Sequence, residues 1–498
     1  MRRAQWAVAF GATVALGSAP AALAEPAAAP QPSSWGGSAP PSEPRELAPL
    51  EGLAVGQKRP LQDYDGRQPK VDPDEVALWI PRILFFPAYV VSEYLLRTPL
   101  GAMISTAEKD EAVADVAATS DIDVLPTLFV DLGFLPNVGV YFAWNNFVGT
   151  GNDLRASFSF GGIHFWRAAL ADRIPFAAPT SLERSNSFFQ IEADFLKRGD
   201  LLFWGIGPRS LDEGRASYGI LTAGAGGRIH LEPWRGLQLQ AWVNGRYSDT
   251  DEGICRSETS IVTADYIYRA CNPATIRRRI LDGSYPIPPH YARSYATVRN
   301  GVKVALDSRD ERPAAGSGAA IDLSVEQVSE VDERLPGGWF NYGAIASGYL
   351  DLTGTQRVLG LTVEAQFQNK IDEHTQIPFT ELVGTRDIQD APELDLMRGF
   401  QPGRLLGSSA LVATLDYRWP IWAFMDGTLQ AAVGNAFARP HLEDFDPVLL
   451  RFSFVGGVRA SSQRDYSVKL LAGFGTDTFE EGGSPSAFRL VLGGTTGF

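Results

Sequence analysis

Leu237-Gln-Leu-Gln-Ala-Trp-Val-Asn-Gly-Arg-Tyr247 alternates apolar and polar side chains almost without a break. Successive side chains of a strand point to opposite faces. One face therefore carries Leu237, Leu239, Ala241, Val243 and Tyr247, and the other Gln238, Gln240, Asn244 and Arg246. An apolar face toward hydrocarbon and a polar face toward a wet lumen is what a membrane-spanning barrel requires. A soluble sandwich gives a similar alternation in shorter strands, so recurrence carries the weight. Residues Leu361–Gln368 place Thr362, Glu364, Gln366 and Gln368 on one face, and Leu411–Arg418 place Thr414, Asp416 and Arg418 together.

Extended along the chain, this pattern predicts an all-β fold, a 16-stranded antiparallel transmembrane β-barrel. Its strands start near residues 122, 137, 153, 164, 187, 216, 236, 293, 318, 340, 356, 409, 425, 448, 465 and 486. With both termini in the periplasm, connections from odd to even strands face outward and should be the long ones. The long segments 248–292 and 371–408 fall there, and the short Glu232–Arg235, Leu352–Thr355 and Ser461–Arg464 fall on the inner side. The last strand places Phe488, Leu490, Leu492, Gly494, Thr496 and Phe498 on one face. A terminal Phe closing an amphipathic strand resembles the assembly signal that barrel-assembly machinery recognises in its clients.

Composition agrees. Charged residues make up 20% of the chain, aromatic residues 11%, and glycine contributes 50 of 498 residues. The mean hydropathy of -0.08 excludes a bundle of apolar spanning helices but not a barrel, whose two faces average to near zero. A net charge of -14 argues against nucleic acid as a partner, since phosphates call for basic stripes.

Ahead of the barrel, Arg2 and Arg3, the apolar run Trp6–Leu16 and Ala22-Leu-Ala24 read as a secretory signal peptide over 1–24. Residues 25–75, rich in Pro, Ala, Ser and Gly, are expected to form a disordered periplasmic leader. Residues 76–118 are strongly apolar, but Pro81, Arg82, Pro87 and Glu93 oppose a spanning helix. After Pro87, the residues Val90, Val91, Tyr94 and Leu95 recur at helical spacing. A short amphipathic periplasmic helix is expected, docked at the membrane interface or under the barrel and available to a periplasmic partner. The barrel takes 119–498. Cys255 and Cys271, in one polar segment of an exported chain, point to a loop disulfide worth about 3 kcal/mol by loop entropy; a metal pair would need further ligands, and none lies nearby.

One segment between the eleventh and twelfth strands carries more than periodicity. Asp395-Leu-Met-Arg-Gly-Phe-Gln-Pro-Gly-Arg404 leads into Ser409-Ala-Leu-Val-Ala-Thr-Leu-Asp-Tyr-Arg-Trp-Pro-Ile421. Arg-Gly-Phe, then Gly-Arg, then a strand ending Asp-Tyr-Arg-x-Pro resembles the BamA/TamA-type bacterial surface antigen family. Phe203-Trp-Gly-Ile-Gly-Pro208 looks like that family's aromatic-Gly-Ile-Gly segment, and Asp307-Ser-Arg-Asp310 like its Asp-x-Arg-Asp inward turn. The resemblance implies a loop folded from outside back into the lumen, tethered by Arg398, with Gly399, Phe400, Gly403 and Arg404 as its motif. Physically, a buried guanidinium needs carboxylate or carbonyl partners and offers five fixed donors. Gly399 permits a tight turn and Phe400 an apolar anchor.

Two departures stand out. Gln430-Ala-Ala-Val-Gly434 places Ala432 where the family has an aspartate facing the loop arginine. Lumen-facing Glu364, Asp416, Glu326 and Asp322 are then the candidate partners of Arg398. No room is left for the periplasmic POTRA domains of the family's insertases, so the chain resembles a POTRA-less branch.

The five histidines, His164, His230, His290, His374 and His441, are scattered, and neither a phosphate-cradling glycine loop nor a catalytic Ser–His pair stands out. The expectation is a non-enzymatic outer-membrane protein without cofactor or metal, in contact with outer-membrane lipid. The resemblance implies a role in inserting, translocating or organising outer-membrane proteins or lipids. The alternative is a plugged narrow pore or structural barrel.

Overall fold

The computed structural model describes residues 122–176, 187–254, 258–262, 267–271, 273–284, 286–309, 316–331, 337–354, 356–384, 397–422, 425–463 and 466–496. The signal peptide, the leader, the 76–118 segment, Cys255, Asp310 and Phe498 lie outside the described residues, as does the Cys271 side chain.

Among the described residues, sixteen long strands close into one antiparallel barrel. They are β1 (Ile122–Asp131), β2 (Asn137–Asn145), β3 (Asp153–Phe160), β4 (Phe165–Pro175), β5 (Phe188–Phe203), β6 (Ala216–Trp234), β7 (Leu237–Asp251) and β8 (Tyr295–Asp307). The second half comprises β9 (Gly318–Glu330), β10 (Gly338–Asp351), β11 (Val358–Lys370), β12 (Ser409–Trp422), β13 (Met425–Phe437), β14 (Arg451–Gln463), β15 (Tyr466–Thr476) and β16 (Pro485–Thr496). Each pairs with its neighbours in sequence. The starts track the sequence expectation closely, the largest offset being β14, which starts at Arg451 rather than 448.

The distribution of side chains inverts that of a soluble protein. Outward positions are exposed and apolar, as with Val124 at 60%, Val243 at 59% and Phe488 at 59% exposure. Inward positions are polar and buried, among them Gln190, Ser248, Thr297, Gln368, Thr414 and Gln430. Polar groups inside a wall are stable when they find partners. Here Arg228 meets Glu192 at 3.1 Å, Lys303 meets Asp322 at 2.7 Å, and the Trp242 indole N–H donates to Glu326 at 3.0 Å. Outside the β1–β16 joint, the described strands of this wall leave no edge unpaired in hydrocarbon, which is the condition for crossing a bilayer.

The seam is short. β1 and β2 share eight residue pairs in register, Ile122↔Trp144 through Phe129↔Asn137. β1 and β16 share three, Phe129↔Gly493, Val130↔Leu492 and Asp131↔Val491. One further backbone bond, Leu132 N–H to Leu490 O at 2.9 Å, extends the seam past the end of β1.

Candidate functional site at the lumen loop

The β11–β12 connection turns back over one end of the barrel. Phe400 N–H donates to Met397 O at 3.1 Å and Arg404 N–H to Gln401 O at 3.1 Å, so 397–404 is two successive tight turns. Two glycines are dictated by close backbone approach. A Cβ on Gly399 would lie 2.1 Å from Phe474 O, and one on Gly403, at φ 83°, would lie 2.1 Å from Leu202 O. Any side chain at either position would push the loop off the wall.

Phe400 is fully buried and packs with Met397, Leu405, Val412, Ala432 and Ala436. Its ring rests on Gly475, where a Cβ would come within 2.4 Å of it. Ala432, the position where the family pattern has aspartate, is thus part of an apolar seat for the loop. Two residues along the same face, Gln430 Oε1 accepts from the backbone N–H of Arg398 at 3.3 Å, and Gln430 Nε2 donates to Asp416 Oδ1 at 3.2 Å. Ser453 Oγ accepts from Gly399 N–H at 2.9 Å.

The Arg398 side chain is buried. Of the acids considered for it, Glu364 is buried and accepts from Gln366, while Asp416 joins the loop through Gln430. Glu326 accepts from Trp242 and from Asn341 at 2.8 Å, and lies 3.8 Å from Arg299; Asp322 pairs with Lys303. Phe488, Leu490 and Leu492 share the exposed outer face of β16.

Phe203–Pro208 runs from the end of β5 into the β5–β6 connection and meets the lumen loop there. Gly207 N–H donates to Leu406 O at 2.7 Å. Arg404, 1% exposed, donates through Nη1 to Ser210 Oγ at 2.6 Å and lies 5.9 Å from the Trp204 ring. Among the described residues its Nε and Nη2 find no acceptor. Burial first, and the nearby Arg451 second, hold its pKa down to about 10, so it stays charged at neutral pH at a cost. Arg451, fully buried, donates to Pro208 O, Ser210 O and Thr476 O and lies 3.6 Å from Asp477.

Sequence patterns alone did not mark one arginine. Arg489 of β16 grips Asp131 of β1 with both sides of its fork, Nη2 to Oδ2 at 2.8 Å and Nε to Oδ1 at 3.3 Å. Its Nη1 donates to Phe400 O at 2.9 Å. Gln401 Nε2 adds a bond to Leu132 O at 2.7 Å. The motif loop is therefore bonded to β16 and to Leu132, the residue that follows β1. Asp307 and Arg309 of the inward turn also pair, at 2.7 Å, with Arg309 stacked 4.1 Å over Tyr349.

The architecture is that of an outer-membrane barrel. No protein-family model and no curated protein matches the chain. Among solved structures, BamA from Haemophilus ducreyi lacking POTRA domains 1–3 is similar at a TM-score of 0.48 and 14% identity, over 76% of this chain and 71% of that one. CdiB from Acinetobacter baumannii is similar at 0.42 and 9%, over 76% and 60%. CdiB from Escherichia coli is similar at 0.43 and 11%, over 74% and 62%. The chain thus spans about three fifths of either CdiB. Likeness at this level carries neither family nor activity to the chain; the barrel stands on its own strand register.

Proposed function

We propose that this protein is an integral outer-membrane barrel, both termini periplasmic, that helps insert, translocate or organise outer-membrane proteins or lipids. It acts without enzymatic chemistry or cofactor. The observation that carries the reading is the pairing of a three-residue seam with a lumen loop seated by Phe400 and bonded across that seam. A short seam leaves few backbone bonds to break before the wall parts, each worth about 0.5–1.5 kcal/mol net. The resemblance of the Arg398-Gly-Phe400 segment to the BamA/TamA motif supports the same reading. Its partners are outer-membrane lipid, the assembly machinery that builds the barrel, and a periplasmic protein reached through 76–118; nucleic acid is not among them. The test is folding of a reporter barrel in proteoliposomes. The purified protein should raise the folded yield over empty liposomes, and an unchanged yield would overturn the role.

A second reading, a plugged narrow pore or structural barrel, is favoured by the Phe203–Pro208 segment and the motif loop bonded together over the lumen. Planar-bilayer recording separates the two. A plugged barrel conducts little, and Arg398→Ala should raise conductance; a large steady wild-type conductance counts against the plug.

A further inference from the structure

The outer face of the wall carries a patch that is already covered. On β12 the odd-numbered side chains point outward, and Leu415 among them is 39% exposed. Further along that face the exposure collapses: Tyr417, Trp419 and Ile421 are each 6% exposed. Met425, which begins β13, and Leu352 of the β10–β11 turn are buried with them. Aromatic neighbours do not explain the difference. Trp166, an outward tryptophan packed edge-on against Phe158 and Phe160, keeps 39% exposure, and outward Tyr247 keeps 44%. The Trp419 ring lies flat over Gly427, where a Cβ would come within 2.2 Å of it, and stacks on Tyr417 with centroids 5.2 Å apart. A ring flat on the wall turns its second face away from the barrel, and here that face is buried too. Among the described residues, the partly buried apolar side chains packed against the patch, Leu359, Leu429 and Val458, belong to the same wall. Wall neighbours flank a ring; they do not roof it. The roof is part of this chain, because the burial is that of the single chain.

We infer that Ala77–Arg97 is that roof: the segment lies on the lipid side of β11 to β13, along the rim at which β1 begins, with its apolar stripe on Tyr417, Trp419 and Ile421. In an up-and-down barrel β12 ends at the rim where β1 starts, so the chain preceding Ile122 is on the correct side. β13 stands four strands from β1 by way of β16, β15 and β14, about 20 Å along the wall. Residues 98–121, fully extended, reach about 80 Å, so the linker spans that distance with slack. The other undescribed stretches at this rim fit poorly. Residues 177–186 and 310–315 are short and contain no run of large apolar side chains, and 25–75 has few such residues. Ala77–Arg97 offers Trp79, Phe85, Phe86, Val90, Tyr94 and Leu95 within one turn-rich stretch. Next to hydrocarbon such an association gains from close packing rather than from release of water, and flat-lying rings supply a smooth seat for it. Arg82 and Glu93, which oppose a spanning helix, are tolerated at the rim, where their heads reach the interface. The barrel itself is then the partner of this apolar stripe.

The inference uses the barrel and the periplasmic N-terminus of the reading above, but no insertion activity. Its test contains no client, so a failed reporter-folding assay leaves it standing, and its own failure leaves that assay untouched. The full mature chain is placed in vesicles of phosphatidylethanolamine and phosphatidylglycerol, with photoreactive benzoylphenylalanine replacing Met425 or, as a control, Val243. Irradiation should join position 425 to a peptide within 77–97 of the same chain and position 243 to lipid. Capture of lipid or of a second copy at position 425 would overturn the assignment. A diazirine-bearing phosphatidylethanolamine needs no substitution in the wall. In wild type it should label Leu415 and spare 417–421; in Val91→Asp/Leu95→Asp, labelling of 417–421 should rise to the Leu415 level. If the Met425 variant does not fold, this comparison decides alone. Equal labelling of Leu415 and 417–421 in wild type, or no rise in the double variant, would sink the idea.

Discussion

Two arginines of the lumen end invite opposite expectations. Arg489 has a carboxylate partner as buried as itself, so Arg489→Met takes the forked cation away from buried Asp131 and should destabilise the barrel by about 3–5 kcal/mol. Among the described residues Arg404 has no carboxylate bonded to it and two donors without acceptors, so Arg404→Met removes a cost and should leave stability unchanged or raise it by about 1 kcal/mol. Urea unfolding of both variants in lipid vesicles checks the pair; a larger loss at Arg404 than at Arg489 would refute the assignment. pH offers no substitute for mutation. The depressed pKa of about 10 means that the unfolded chain binds the proton more tightly, so stability rises with pH only above that value and is flat through neutrality. Arg398, Gly399 and Phe400 could be picked out in the sequence because they are contiguous. Asp131 and Arg489, 358 positions apart, could not, since nothing local distinguishes them from other charges in strands.

At the scale of elements, the contact between the motif loop and β13 to β15 decides how the loop is held. Ala432→Asp places a carboxylate among Met397, Phe400 and Leu405. It should lower the unfolding midpoint, and a gain in stability would mean that the carboxylate had reached Arg398. Gly475→Ala fills the slot of the Phe400 ring and should cost about 1–3 kcal/mol, with faster exchange in 397–405 as the local signature. Strand positions were readable because a period of two is set by backbone geometry, residue by residue. The path of the loop was not, because Gln430, Ser453 and Gly475 reach it from strands that carry the same polar/apolar texture as their neighbours.

At the scale of the whole molecule, the inside-out polarity is itself testable. Val243→Arg, on the outer face, should cost about 2–4 kcal/mol in lipid, whereas Gln240→Arg, facing the lumen from the same strand, should cost under about 1. Equal costs measured by urea titration in vesicles would contradict a lipid-facing belt. What the amino-acid order determined by itself is therefore the wall: the number of strands, their starts, which side of the seventh, eleventh and twelfth strands faces hydrocarbon, and the presence of one unusual Arg-Gly-Phe loop. These depend on spacing along the chain, and spacing survives in one dimension. Only the tertiary structure decided that β1 and β16 meet over three pairs, that an apolar seat replaces the expected aspartate, and that Arg489 ties the loop to the joint. Those depend on which distant residues closure of the barrel brings within bonding distance, and closure is a property of the whole sheet rather than of any segment.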